Sequence, residues 1–97
     1  MIYVLHRLAE QDLGSAFEFY KTNGSVKVAL RFISEFERVA ELLANHPEMG
    51  TPMNEGRRSF PFRKYPYSLI YRPMDGGVRI LAVRHQRREP GFGGGRT

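Results

Sequence analysis

The chain contains no cysteine. Disulfides and thiolate chemistry are thereby excluded, and stability has to come from packing alone. Long apolar runs are missing as well. The longest, Leu69-Ile70-Tyr71 and Ile80-Leu81-Ala82-Val83, fall far short of the roughly 18 residues needed to cross a bilayer. The opening Met1-Ile2-Tyr3-Val4-Leu5-His6 lacks the basic leader and extended apolar middle of a secretory signal, and it reads as a first strand. A cytoplasmic chain without membrane contact is expected. The three histidines, His6, His46 and His85, are far apart, with no His-x-x-x-His pair, so no metal site is expected. The run Gly91-Phe92-Gly93-Gly94-Gly95 follows no strand-to-helix turn and carries no Lys-Ser/Thr, which excludes a phosphate loop. There is no Gly-x-Ser-x-Gly elbow, and most carboxylates fall on helical segments, so hydrolase triads and paired-acid sites have no support. No cofactor is expected.

What is present fits one small folded unit. A length of 97 residues leaves room for a single core, and 41% hydrophobic with 26% charged residues is ordinary globular composition. A core this small leaves about a third of the unfolded chain's surface wet, so a partner that adds to it would help. The net charge of +5 conceals an asymmetry. Up to Glu55 there are five cations against eight carboxylates, a balance of −3; from Gly56 onward ten cations face only Asp75 and Glu89, a balance of +8. Nine of those ten are arginine, whose planar fork holds phosphate or carboxylate through two parallel hydrogen bonds. Each taken singly reads as surface solvation; the cluster points to an anionic partner.

Ala9, Leu13, Ala16, Phe17 and Tyr20 share one helical face, which predicts a helix over residues 8–22, with Gly24 as a left-handed cap beyond it. Ser25 caps a second helix along which Ala29, Phe32, Ile33, Phe36, Ala40 and Leu43 repeat the same spacing. It closes at Asn45-His46-Pro47, because proline disfavours a helical residue ahead of it. Residues 47–56 read as a connecting loop. Three strands follow, at 59–64, 66–72 and 78–85, the last two joined by a tight hairpin at Asp75-Gly76. In the final strand Val78, Ile80 and Ala82 are expected on one face and Leu81 and Val83 on the other, making it central and covered twice. The fold class is α+β, in the order β-α-α-β-β-β, with a helical hairpin packed on one face of an antiparallel sheet. The other face is expected to stay partly uncovered as a docking surface. Residues 1–90 form a single domain, and 91–97 a flexible glycine-rich tail. Tyr67 and Tyr71 read as packing residues, with stacking of Tyr65, Tyr67 and Tyr71 on bases as the alternative.

This order resembles the RelE/ParE superfamily of toxins from type II toxin–antitoxin systems, over roughly residues 1–90. The resemblance rests on Ala9, Asp12-Leu13 and Phe19-Tyr20 in the first helix, and on His46-Pro47-Glu48-Met49-Gly50-Thr51-Pro52 closing the second. It rests further on Tyr67-Ser68-Leu69-Ile70-Tyr71-Arg72 followed by Gly77-Val78-Arg79-Ile80-Leu81-Ala82-Val83-Arg84-His85. It implies a growth-inhibiting toxin held inactive by a cognate antitoxin in a hetero-oligomer. One branch of the superfamily cleaves messenger RNA on the ribosome; the other is similar to inhibitors of DNA gyrase.

Two departures separate these branches. Ser68 stands where the RelE-type enzymes place an arginine, and Phe92 falls near their tail tyrosine without its hydroxyl. A serine cannot neutralise a phosphate. The gyrase-inhibiting, ParE-like branch is therefore favoured, with no catalytic chemistry of its own. The alternative is a ribosome-dependent endonuclease using His85, Arg88 and Lys64. Target binding is assigned to Arg58, Arg63, Arg72, Arg84, Arg87 and Arg88, with His85 adjusting the local field. Antitoxin docking on the hairpin and an open sheet edge is assigned to Phe17, Leu30, Leu42, Leu81 and Val83, as apolar residues left over from the core. Operator DNA is reached only through the antitoxin.

Overall fold

The structure, a computed structural model, describes residues 1–87. Arg88, Phe92 and the expected boundary between residues 90 and 91 lie outside the described residues. Strand β1 (Ile2–Leu5) leads through His6 into helix α1 (Arg7–Asn23) and then helix α2 (Val26–Asn45). There follow β2 (Thr51–Pro52), a 3-10 turn at Asn54–Gly56, β3 (Arg58–Pro61), β4 (Tyr67–Met74) and β5 (Gly77–His85). The strands form one sheet in the order β1-β5-β4-β3-β2. Both helices pack on one of its faces.

Local chemistry accounts for most boundaries. The Nδ1 atom of His6 accepts the Leu8 N–H at 3.0 Å, and Ser25 Oγ accepts the Val28 N–H at 3.1 Å, so each helix begins on a side-chain cap. The expected left-handed cap at Gly24 is not formed, since its φ is −136°. Glycine matters there for another reason. The chain turns straight into α2, and a Cβ at Gly24 would sit 2.9 Å from the Tyr20 carbonyl oxygen. At the end of α2, the His46 N–H still donates to Leu42 O before Pro47 stops the helix.

Two features of the sheet correct the sequence reading. The sheet is mixed, because β1 lies parallel to β5 in the register Ile2↔Gly77 to Leu5↔Ile80; the two helices and then β2, β3 and β4 carry the chain between them. The expected loop over 47–56 also contains a fifth strand, β2, antiparallel to β3 through Thr51↔Ser59 and Pro52↔Arg58. Two residues are too few for periodicity to reveal.

The β4–β5 hairpin turns at Asp75-Gly76 as expected, with φ of +80° at Gly76. Its register runs Met74↔Gly77, Arg72↔Arg79 and Tyr71↔Ile80, then shifts so that Ile70 faces Ala82. Leu81 is the extra residue. A one-residue insertion reverses the phase of a strand, so Val78, Ile80 and Val83 join the helix-side core while Ala82 lies on the far face. The expected grouping of Val78, Ile80 and Ala82 does not hold.

The core joins Phe32, Phe36, Val39 and Leu43 of α2 to Leu69, Tyr71, Val78, Ile80 and Val83 of the sheet. Tyr20, Phe62, Tyr65 and Tyr67 ring Phe32, with centroids 5.1–5.4 Å away. Tyr71 is fully buried: its hydroxyl donates to Pro47 O at 2.8 Å and accepts the Gly50 N–H at 2.9 Å. It packs, and cannot stack on a base. On the far face Ile70 and Ala82 are 1% and 0% exposed, so the centre of the sheet is closed on both sides and the expected open apolar face is absent. What remains uncovered lies toward β1, at Ile2, Val4 and Met74. No helix among the described residues is long and apolar enough to cross a membrane.

Candidate functional site

The tight turn at Asp75-Gly76 places Arg72 directly opposite Arg79, and beyond Leu81 the shifted register sets Ser68 opposite Arg84. Direct antiparallel partners share a face, and Arg72, Ile70 and Ser68 alternate away from the core residues Tyr71 and Leu69. Arg72, Arg79 and Arg84 therefore all lie on the face away from the helices, each half-buried. The strand residues sharing that face include no carboxylate. Like charges set opposite one another destabilise a sheet. Among the described strand residues no carboxylate offsets the Arg72–Arg79 pair, and Arg79 Nε is buried without a hydrogen-bond partner among the described residues. Arg72 reaches toward the 3-10 turn, where a Cβ at Gly56 would stand 3.4 Å from its Nη1 and where φ is +73°. A glycine there leaves the guanidinium room. Two forked cations beside a buried apolar floor of Ile70 and Ala82 suit an oxyanion arriving from solvent.

The other residues assigned to the target lie elsewhere. Arg58, opposite Tyr71, points to the helix side and donates to Glu48 O at 3.0 Å and Gly50 O at 2.8 Å, so it holds the loop after α2. Arg63 and Lys64 are exposed in the β3–β4 turn, Lys64 at φ +66°. The Arg63 N–H donates to Glu35 Oε2 at 2.6 Å, and Glu35 is also gripped by Arg38 through two 2.8 Å bonds. Arg38 holds the Glu35 carboxyl below its usual range, against an opposing desolvation, with help from the Arg63 amide.

His85 closes β5 on the helix side, its ring edge-on to Tyr67 at 5.1 Å and its Nδ1 accepting the Arg87 N–H at 3.1 Å. Both line a cleft of about 460 Å³ beside Asp12, Ser15, Phe19 and Arg87. Asp12 Oδ2 crosses to accept the Val83 N–H at 3.1 Å, satisfying β5 where β1 no longer accompanies it. No hydrogen bond or ion pair joins Lys64 to His85, and Arg88 is outside the described residues. Arg72 and Arg84 thus belong to one face, while Arg58, Arg63, His85 and Arg87 do not. Arg79, absent from the sequence-derived target set, belongs with Arg72. Counting outward from Asp75-Gly76 pairs the two and would have found it.

Among the residues assigned to antitoxin docking, Leu30 is 54% exposed, and Phe17 and Leu42 are half-buried on the hairpin. Leu81 and Val83 are buried, Val83 within the helix-side core, so neither offers the exposed area expected of it. A shallow groove between α1 and α2 is lined by Leu13, Gly14, Phe17 and Ile33. Among the described residues, no group of three His, Asp or Glu side chains gathers to hold a metal ion.

Comparison with known proteins adds family and fold. Residues 3–90 match the family described as ParE toxin of type II toxin–antitoxin system, parDE. Toxin ParE2, from two strains of Mycobacterium tuberculosis, is 27% identical over 86 residues, spanning 89% of this chain and 82% of the relative. A solved chain described as the chromosomal ParDE TA system from P. aeruginosa superposes with a TM-score of 0.76 at 20% identity. That superposition covers 88% of this chain and 95% of the other, and at that identity it is evidence of a shared fold.

Proposed function

The chain belongs to the ParE toxin family of type II toxin–antitoxin systems, and from that premise we propose that it acts by binding DNA gyrase rather than by cutting RNA. As a family member it is the toxin half of such a pair, with a cognate antitoxin as its partner. The observation that carries the proposal is the arginine face of β4 and β5. Arg72, Arg79 and Arg84 share that face, Arg72 directly opposite Arg79, and the position opposite Arg84 is Ser68 instead of another cation. Such a face binds an anionic surface. Cleavage through a 2′-hydroxyl asks in addition for a base, an acid and cations fixed around one phosphorus, and Lys64 and His85 are not joined in such an array.

Neutralisation follows from coverage. An antitoxin segment lying over Phe17, Leu30 and Leu42 buries the apolar surface of the hairpin, and an acidic stretch continuing around the sheet occupies the guanidiniums. Such a complex forms in the cytoplasm, and operator DNA is contacted through the antitoxin. The test is a paired assay with purified protein: plasmid supercoiling by gyrase, and messenger RNA integrity on translating ribosomes. Inhibited supercoiling that weakens in Arg72→Glu or Arg79→Glu, with intact messenger, supports the proposal. Messenger cleavage lost on His85→Ala or Lys64→Ala would replace it with the nuclease reading.

A further inference from the structure

The sheet ends differently at its two edges. At one, β2 has two residues and the second is Pro52, a combination that blunts strand addition. At the other, β1 carries neither proline nor charge. Its bonds to β5 fix its phase: the Ile2 N–H donates to Gly76 O at 3.0 Å and the His6 N–H to Ile80 O at 2.8 Å. The even-numbered residues thus face β5, and alternation turns the N–H and C=O of Tyr3 and Leu5 outward. Among the described residues, neither peptide group has a partner on that side.

The surroundings of this edge are two-sided. On the far face Ile2 is 59% exposed, beside exposed Val4 and Met74. On the helix side, a cleft of about 370 Å³ is lined by Met1, Ile2, Tyr3, Glu41, Ala44 and Asn45. Burial raises the Tyr3 phenol above its usual value, and Glu37 and Glu41, both exposed, are near enough to add to it. Neither carboxylate has an ion pair among the described residues. Residues one helical turn apart are separated by about 6 Å along α2, close to the roughly 6.6 Å between alternate residues of a strand. The two carboxylates are therefore spaced to meet alternate side chains of one added strand.

We propose that β1 is a strand-addition site for an extended peptide with basic side chains at alternate positions and apolar side chains between them. In antiparallel pairing the residues opposite Tyr3 and Leu5 point to the helix side and meet Glu41 and Glu37, while those between lie over Ile2 and Val4. This site is separate from the arginine face in position and opposite to it in charge preference. A second copy of the chain fits the edge poorly, because two-fold pairing of β1 with itself brings two sets of Glu37 and Glu41 onto the same side of the joined sheet.

The experiment uses the full chain and a synthetic peptide, acetyl-Thr-Lys-Val-Arg-Val-Lys-Thr-amide, followed by calorimetry and amide hydrogen exchange. Binding with new protection at the Tyr3 and Leu5 amides is expected, and Glu37→Lys with Glu41→Lys should weaken it by roughly tenfold or more. A peptide N-methylated on the edge-facing amides keeps the same charges and should bind no better than a scrambled control. Equal binding by the methylated peptide, equal binding by an acidic Glu-Val-Glu-Val peptide, or protection elsewhere would overturn the proposal. So would protection of Tyr3 and Leu5 by self-association in the absence of peptide.

Discussion

Single side chains hold the loop after α2 and the β3–β4 turn in place. Tyr71 satisfies Gly50 N–H and Pro47 O from within the core, so Tyr71→Phe keeps the packing and strands two backbone groups. A loss of about 1–3 kcal/mol is expected in urea unfolding. Gly50→Ala should also destabilise, because a Cβ there meets the Tyr71 hydroxyl at 2.6 Å. Glu35 is the acid-sensitive point. Arg38 and the Arg63 amide depress its folded-state pKa below the usual carboxylate value. Its contribution is therefore present above the unfolded value and is lost as pH falls through the folded one. The stability gap between the parent chain and Glu35→Gln should narrow in unfolding curves taken from neutral pH down to acid; a pH-independent gap would refute that role. These roles were only partly legible in the sequence. Spacing marks Arg38 as a neighbour of Glu35, but nothing local tells that Arg63, on a distant turn, donates its amide to the same oxygen.

At the scale of elements, the helices and the β4–β5 hairpin were readable because each carries its signal in contiguous residues: an apolar stripe, a cap, a turn dipeptide. The bulge at Leu81 carries none. Ile80-Leu81-Ala82-Val83 is apolar throughout, so either phase buries it equally well as sequence, and the choice falls to tertiary packing and to Asp12, which takes the Val83 amide. That reversal puts Val83 in the helix-side core, and it is why Arg79 and Arg84 share a face across it. The Arg72–Arg79 pair sets binding against folding. Arg79→Gln should raise the stability of the isolated chain by roughly 0.2–1 kcal/mol through relief of like-charge contact, while weakening the gyrase inhibition proposed above. Thermal unfolding and the supercoiling assay, run on the same sample, check both halves; a destabilised variant would show that Arg79 supports the fold and that the pair carries no folding cost.

Across the whole molecule, the division of charge in the sequence becomes a division in space. The acidic first half supplies the hairpin, with Glu37 and Glu41 along α2, and the arginine-rich second half supplies strands whose far face is cationic. That arrangement was legible before any coordinates, because the charge boundary falls where helices give way to strands. The strand order was not, since the parallel pairing of β1 with β5 joins residues at opposite ends of the chain. Inhibition through the arginine face should decline steeply with added salt, as the screening length falls from about 10 Å at 0.1 M to about 3 Å at 1 M. Peptide capture at β1, held in part by backbone bonds, should decline less. The contrast between Pro52 at one margin and the bare amides of Tyr3 and Leu5 at the other gives the fold a lateral valence of one. Copies of a subunit blunted at one margin cannot stack edge to edge in register along a fibril axis, so β1 can stay open to the guest strand proposed above without seeding a continuous sheet of its own chain.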